Sequence, residues 1–173
     1  MKRREFLKKA GAGSAALASA LTVAIPAQAS DQNEAEGTFE WVIGAPNGAP
    51  SRAQDGSTIT FKGSGTFEPG DPAQVTGGGS WSLSTGENGT YRVTNLAKFD
   101  PAPGAVPGAP AIRAGLAFLR IAYSDGSRGV LVVSCHLPGT PDSVAEGIIA
   151  SKGFVLYWNH IQATSFFRFL GSD

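Results

Sequence analysis

Two almost uninterrupted apolar runs on either side of one short turn constrain the fold of this chain more than any other feature. The runs cover residues 113–123 and 129–136, and the turn between them contains Asp125-Gly126. Asp-Gly supplies the backbone freedom that a tight chain reversal needs, so the pattern predicts a β-hairpin. Because both runs are apolar at nearly every position, they are typical of strands that are covered on both faces.

The rest of the chain consists of shorter apolar runs that are separated by Gly, Pro, Asn and Asp. The sequence therefore predicts one all-β domain over residues 38–173, a compact antiparallel β-barrel or sandwich of about eight strands. In strand number and length it resembles lipocalin-like, dirigent-like and allene-oxide-cyclase-like barrels. Glycines in residues 63–65 and 77–79 are interpreted as points of close backbone approach. The expected strands cover residues 38–43, 57–63, 79–84, 90–99, 113–123, 129–136, 153–158 and 164–170.

Three segments are expected to lie outside these strands. Residues 142–150 are predicted to form one short helix, because Pro141 precedes a capping residue and the aliphatic residues share a helical face. Residues 44–56 are expected to form a polar loop. Residues 100–110 contain too many prolines to pair as a strand throughout, which is typical of a lid, a binding loop or a spacer.

The N-terminus carries a separate signal, with a charged start, an apolar middle that reaches Ile25 and a small-x-small ending. This layout is typical of a cleaved export signal. The start contains Arg3-Arg4-Glu5-Phe6-Leu7-Lys8 and the ending is Ala27-Gln28-Ala29. With paired arginines before Phe-Leu-Lys, residues 1–29 resemble a twin-arginine (Tat) signal peptide, although Lys2 stands where that pattern has Ser or Thr.

This resemblance implies a prokaryotic protein that the Tat translocase carries across the inner membrane already folded. Cleavage after Ala29 would leave a mature chain that begins at Ser30, with a flexible segment over residues 30–37 before the domain. The implied location is the periplasm or the surrounding medium. If the leader were retained, its apolar middle would act as a weak membrane tether.

The mature chain would be acidic. Residues 1–29 hold five of the 14 basic and one of the 14 acidic residues, so nine and 13 remain and the net charge is −4. Such a chain without a basic cluster is unsuited to nucleic acid or anionic lipid. No second apolar run approaches the roughly 20 residues of a membrane helix, so no stable insertion is expected after cleavage. The single cysteine, Cys135, excludes an intramolecular disulfide and cysteine-rich metal sites.

Few residues suit catalysis. Cys135 and His136 are adjacent, and neighbours in a strand point to opposite faces, so no dyad between them is expected. Cys135 is interpreted as a core residue and His136 as a residue at the rim. The catalytic candidates are His136, Arg120 and Glu146, and Arg120 would need a partner or an anionic ligand if it faced a barrel interior.

A metal site is an alternative use of the two histidines. His136 and His160, together with Asp142 or Glu146, supply ligand types that zinc and iron accept. Their spacing matches no known signature, and nothing in the sequence brings the two histidines together. We therefore expect no metal and no other cofactor.

Aromatic residues on the expected strands are the candidates for ligand binding, and they suit a barrel core equally well. These candidates are Trp81, Tyr91, Tyr123 and Trp158. The leading hypothesis is an exported soluble β-barrel that binds a small, partly apolar ligand. The alternatives are a cofactor-free cyclase or isomerase that uses the barrel pocket, and an envelope protein-interaction module. An exposed apolar patch or an open strand edge would favour the interaction module. The sequence leaves the oligomeric state open.

Overall fold

Within residues 37–171, the part of the chain that the computed structural model describes, the backbone forms eleven strands. The predicted all-β class is confirmed, and no helix in this part is long and apolar enough to cross a membrane. The predicted leader and the lead-in before Gly37 lie outside the described residues. The strands are β1 (Thr38–Ile43), β2 (Ala49–Ala53), β3 (Thr58–Glu68), β4 (Asp71–Val75), β5 (Gly78–Leu83), β6 (Asn88–Ala102), β7 (Ile112–Tyr123), β8 (Arg128–Cys135), β9 (Gly147–Lys152), β10 (Val155–His160) and β11 (Ser165–Gly171).

Hydrogen bonds join these strands into one antiparallel sheet that closes on itself. From β7 the ladder runs through β8, β9, β10, β2, β3, β5 and β6 and returns to β7, a ring of eight strands among the described residues. β1 and β2 both pair with β3, one after the other along its length. β10 in turn pairs with β2, and β11 pairs with β1. β11 also pairs with β7, beyond the end of β8. The sheet is therefore barrel-like, which agrees with the predicted barrel or sandwich, although it has eleven strands within residues 37–171 and not about eight.

Four tight hairpins lie at one end of the barrel, which we call the turn end. They consist of residues 54–57, 84–87, 124–127 and 153–154 and connect β2 to β3, β5 to β6, β7 to β8 and β9 to β10. In the hairpin expected at Asp125-Gly126, the Tyr123 N–H donates to the Ser127 carbonyl at 2.9 Å. The opposite end, which we call the loop end, carries the proline-rich segment after β6 and the start of β1.

The helix predicted over residues 142–150 is wrong. Gly147–Lys152 is β9, which pairs with β8 on one side and β10 on the other. Ile148 and Ala150 are buried whereas Ile149 is half-buried, so burial follows the period of two that a strand requires. The two neighbouring strands offer this segment a set of backbone partners, which outweighs its local helix-start signals.

Two of the predicted loops also contain strand. β2 lies inside the expected polar loop of residues 44–56 and fills the gap between β10 and β3. β6 continues into the expected proline-rich loop, because Pro101 and Ala102 lie opposite Gly115 and Ala114 of β7. β4, which pairs with β3, falls in a segment for which no strand is expected.

Aromatic side chains fill both ends of the barrel. At the loop end, five phenylalanines contact one another with ring centroids 5.0 to 6.0 Å apart; they are Phe39, Phe67, Phe99, Phe167 and Phe169. At the turn end the buried aromatic residues are Phe61, Trp81, Tyr91, Tyr123 and Tyr157. Burial of this much apolar surface is the main favourable contribution to the stability of the barrel.

Close backbone approach explains the glycines of residues 63–65 and 77–79. A Cβ atom on Gly79 would lie 1.9 Å from the Lys62 carbonyl oxygen, and one on Gly63 would lie 2.2 Å from the Tyr91 hydroxyl. Both distances are shorter than any van der Waals contact, so no side chain fits at either position. The interpretation of these fragments from the sequence agrees with this geometry.

Candidate functional site

Three of the four aromatic ligand-binding candidates meet inside the turn end. Trp81, Tyr91 and Tyr123 are all at most 5% exposed. The Trp81 and Tyr123 rings pack edge to face with centroids 5.6 Å apart. Phe61 lies between the two tyrosines, 5.0 Å from the Tyr91 ring and 6.2 Å from the Tyr123 ring. These rings form a packed layer of the core.

Lys152 covers this aromatic layer from the turn end. Its Nζ lies 4.6 Å from the centroid of the Trp81 ring and 5.4 Å from that of Tyr123, which places a cation over two aromatic faces. The same ammonium group donates to Asp125, with which it forms an ion pair. The Tyr123 hydroxyl donates to the Ser151 carbonyl at 2.7 Å. The turn end is therefore closed by paired groups, and the sequence analysis did not single out Lys152.

The carboxylate of Glu146 fastens two strands together. Its Oε1 accepts hydrogen bonds from the Ser165 N–H at 2.8 Å and the Ser165 hydroxyl at 3.2 Å, and its Oε2 accepts from the His136 N–H. The His136 Nδ1 lies 2.8 Å from the Val144 carbonyl oxygen. Because Ser165 begins β11 and His136 follows β8, Glu146 joins the end of one strand to the beginning of the other.

The three catalytic candidates do not converge. Arg120 is exposed on the outer face of β7, whereas His136 and Glu146 are half-buried beyond the end of β8. Arg120 lies opposite Val130, and Gly115 lies opposite Cys135, next to His136. The five residue steps from Gly115 to Arg120 span about 17 Å along the strand. Arg120 thus does not face the barrel interior and does not share a site with the other two.

Cys135 is a core residue. Its side chain is fully buried, and burial together with the nearby charge of Glu146 raises the pKa of the thiol to about 12. A thiol with such a pKa is protonated at neutral pH and is a poor nucleophile.

The histidines do not build a metal centre with their neighbours. His160 is exposed at the end of β10, and His136 directs one ring nitrogen at a backbone carbonyl oxygen. Among residues 37–171, no three His, Cys, Asp or Glu side chains are grouped so as to hold a metal ion.

The outer surface carries a feature that the sequence analysis did not predict. Five large apolar side chains in residues 37–171 are exposed, and four of them lie on β8, β10 or the turn before β10; these four, which we call the outer apolar face, are Val130, Phe154, Leu156 and Trp158. Phe154 is 101% exposed and Trp158, the fourth ligand-binding candidate, is 51% exposed. The sequence Val155-Leu156-Tyr157-Trp158 alternates between two faces, and Tyr157 occupies the buried one.

Two buried donors in the barrel have no hydrogen-bond partner among the described residues. They are the indole Nε1 of Trp41, whose side chain is fully buried, and the hydroxyl of Tyr91. Burial raises the pKa of Tyr91 far above its ordinary value, so the hydroxyl stays protonated and remains a donor. Buried donors are satisfied in most proteins, so these two are candidate contacts for an acceptor.

Known proteins offer no guide to these sites. No family model, no curated protein and no solved structure matches this chain. The function must therefore be argued from the residues themselves.

Substitution of Glu146 by Gln tests the fastening of β8 to β11. We expect Glu146→Gln to lower the free energy of unfolding by about 1–3 kcal/mol, because the amide group leaves one backbone N–H facing another donor. Urea unfolding of the variant and of Asp142→Asn, an exposed carboxylate nearby, measures this. A Glu146→Gln variant as stable as Asp142→Asn would contradict the assignment.

The ion pair at the turn end predicts a pH dependence. Hydrogen bonds from Lys152 and then Ser127 hold the pKa of Asp125 well below its usual value. A carboxylate with a depressed folded-state pKa adds stability above its unfolded pKa of about 4, and this is lost as the pH falls through the folded value. We expect Asp125→Asn to be less stable than the wild type at pH 7, and we expect the difference to shrink at pH 3. Urea unfolding at both pH values, with Glu87→Gln as control, measures this, and an equal loss at both would contradict it.

Proposed function

We propose that this protein is an exported, non-enzymatic binding protein that acts by contacting another protein surface through the outer apolar face. The observation that carries this proposal is the clustering of Val130, Phe154, Leu156 and Trp158 on one side of the barrel. It favours the interaction module among the functions that the sequence suggests.

The chemistry of the outer apolar face suits a protein partner. Fully desolvated aromatic side chains such as Trp and Phe contribute much of the energy at protein interfaces. The largest contiguous apolar patch on a monomer often has a function, and patches larger than a few hundred Å² mark interaction sites. Arg128 and Arg120 lie beside the patch on β8 and β7, where charged groups form the polar rim that interfaces usually have.

Binding is favoured over catalysis because the acid–base candidates are engaged elsewhere. The Glu146 carboxylate accepts hydrogen bonds from two backbone N–H groups and one hydroxyl group, and the Cys135 thiol is buried and protonated. General acid–base catalysis requires such groups within reach of a substrate.

Export by the Tat translocase to the periplasm or the medium remains part of this proposal. It rests on residues 1–29, which lie outside the described residues. A barrel with the single, buried Cys135 requires no disulfide formation, so it can fold in the cytoplasm before transport.

Site-specific photocrosslinking tests the proposed contact. We expect a photoreactive phenylalanine analogue placed at Phe154 or Leu156 to give a protein adduct of defined mass in exporting cells. The same analogue at Thr85, exposed on another hairpin of the turn end, is the control. Adducts of equal yield at all three positions, or at none, would overturn the proposal. Phe154→Ala should unfold within about 0.5 kcal/mol of the wild type, since its side chain is fully exposed.

A small ligand inside the barrel is the second candidate function. It is favoured by the two unpartnered donors, Trp41 Nε1 and the Tyr91 hydroxyl, since an acceptor group of a small molecule would satisfy either of them.

Native mass spectrometry of the exported mature protein tests this candidate. A bound molecule would appear as excess mass that denaturation releases, and Tyr91→Phe would reduce its occupancy about tenfold, the effect of one hydrogen bond of ~1.4 kcal/mol. Tyr123→Phe is the matched control, because its hydroxyl already donates to Ser151. A mature protein without excess mass would eliminate the ligand.

A further inference from the structure

We infer that the occupant of the outer apolar face is a second copy of this chain, packed face to face about a two-fold axis that runs parallel to β10. This inference rests on the proposed function and names its partner. Three observations carry it: the position of the apolar side chains, their area and the charges on either side.

The outer apolar face spans three neighbouring strands. Leu156 of β10 lies opposite Ser151 of β9, and the Ser151 hydroxyl accepts a hydrogen bond from the N–H of Val130 on β8 at 3.0 Å. Trp158 lies two residues after Leu156 on β10, Phe154 lies in the turn two residues before it, and all three side chains are exposed. The centre of the face is therefore the line between β9 and β10, and a two-fold axis along this line places Leu156 close to its copy.

The area of the face fits a dimer with a polar rim. With about 200 Å² for a fully exposed aromatic side chain, the four residues offer on the order of 450 Å² of apolar surface. A stable dimer buries roughly 800 Å² on each partner, of which the apolar core is a part. Polar residues beside the face, such as Arg128 and Ser151, supply the remaining area.

Charges on the two sides of the face are complementary under this symmetry. Arg128 lies at the turn end on the β8 side and has no acidic group within 4.0 Å among the described residues. Asp55 lies at the same end, in the hairpin after β2, and its carboxylate accepts hydrogen bonds only from Ser57 within that part of the chain. A two-fold axis parallel to β10 brings the β8 side of one copy against the β2 side of the other at equal height.

Each Arg128 therefore faces Asp55 of the second copy, and the symmetry produces this ion pair twice. Two other arginines near the face, Arg120 and Arg52, do not oppose each other. Arg120 lies on β7, one strand farther from the axis than Arg128, and Arg52 lies beside Asn159, farther from the turn end than Asp55. An isologous contact thus joins opposite charges at its rim and apolar side chains at its centre.

Sedimentation analysis of the mature chain, residues 30–173, from 1 to 100 µM tests this inference. We expect a dimer that Phe154→Ser with Trp158→Ser converts into a monomer. Arg128→Asp and Asp55→Arg should each raise the dimer Kd at least tenfold, and the double variant should return it to within threefold of the wild type. Glu87→Arg, a charge reversal on another hairpin of the turn end, should leave the Kd unchanged.

A second measurement covers the case in which Asp55→Arg disturbs its hairpin. Leu156→Cys places a thiol beside the axis while Cys135 stays buried, so mild oxidation should give a disulfide-linked dimer. Thr85→Cys should give no disulfide-linked dimer under the same conditions. Failure of Leu156→Cys to cross-link would overturn the inference even if a dimer forms elsewhere.

The outcomes separate this inference from the proposed function. A monomer at 100 µM, or a dimer that tolerates loss of Phe154 and Trp158, overturns the second copy as occupant. If position 154 still cross-links to a different protein in cells, the proposed function stands with another partner. If position 154 gives no adduct and the mature chain is monomeric, both fail. Binding of a monomer to phosphatidylglycerol vesicles through Phe154 would assign the face to lipid instead and overturn both.

Discussion

Closure of the hydrogen-bond ladder is the constraint on which the rest of this structure depends. Because β7 pairs with both β6 and β8, and the ring returns through β2 and β3, the strands of the ring have neighbours on both sides. A closed barrel has no long free edge that another strand could extend. Contacts with other molecules must therefore use strand faces, turns or the barrel ends, and this gives the outer apolar face its importance.

Glu146, one of the catalytic candidates in the sequence, contributes to the closure of the barrel. Glu146 lies beyond the end of β8, where β11 replaces β8 as the neighbour of β7. The backbone N–H groups at this point lack strand partners and donate to Glu146. A carboxylate that accepts from such groups replaces the missing ladder bonds. Lys152 has a comparable role at the turn end, since its cation lies over two aromatic rings and joins Asp125. Glu146 and Lys152 thus both hold strand ends in place.

The sequence was sufficient for the fold class and for the hairpin of β7 and β8, because their apolar pattern and Asp125-Gly126 are local signals. It was insufficient for β2 and β9, which exist because neighbouring strands pair with them at long range. For the candidate site, the burial of Trp81, Tyr91 and Tyr123 agrees with strand positions. The exposure of Trp158 could not be predicted, because alternation separates two faces without showing which faces inward. Arg120 illustrates the same ambiguity, since it lies on the outside.

The ladder between β1 and β11 pairs the first strand of the domain with the last, Thr38 opposite Gly171. These residues are far apart in the chain, so this is a contact of very high sequence separation, and such contacts form slowly. All residues between these two strands must therefore be synthesised before the β1–β11 ladder can form. This ladder closes late in folding, whereas the hairpin of β7 and β8 needs only a four-residue turn between its strands.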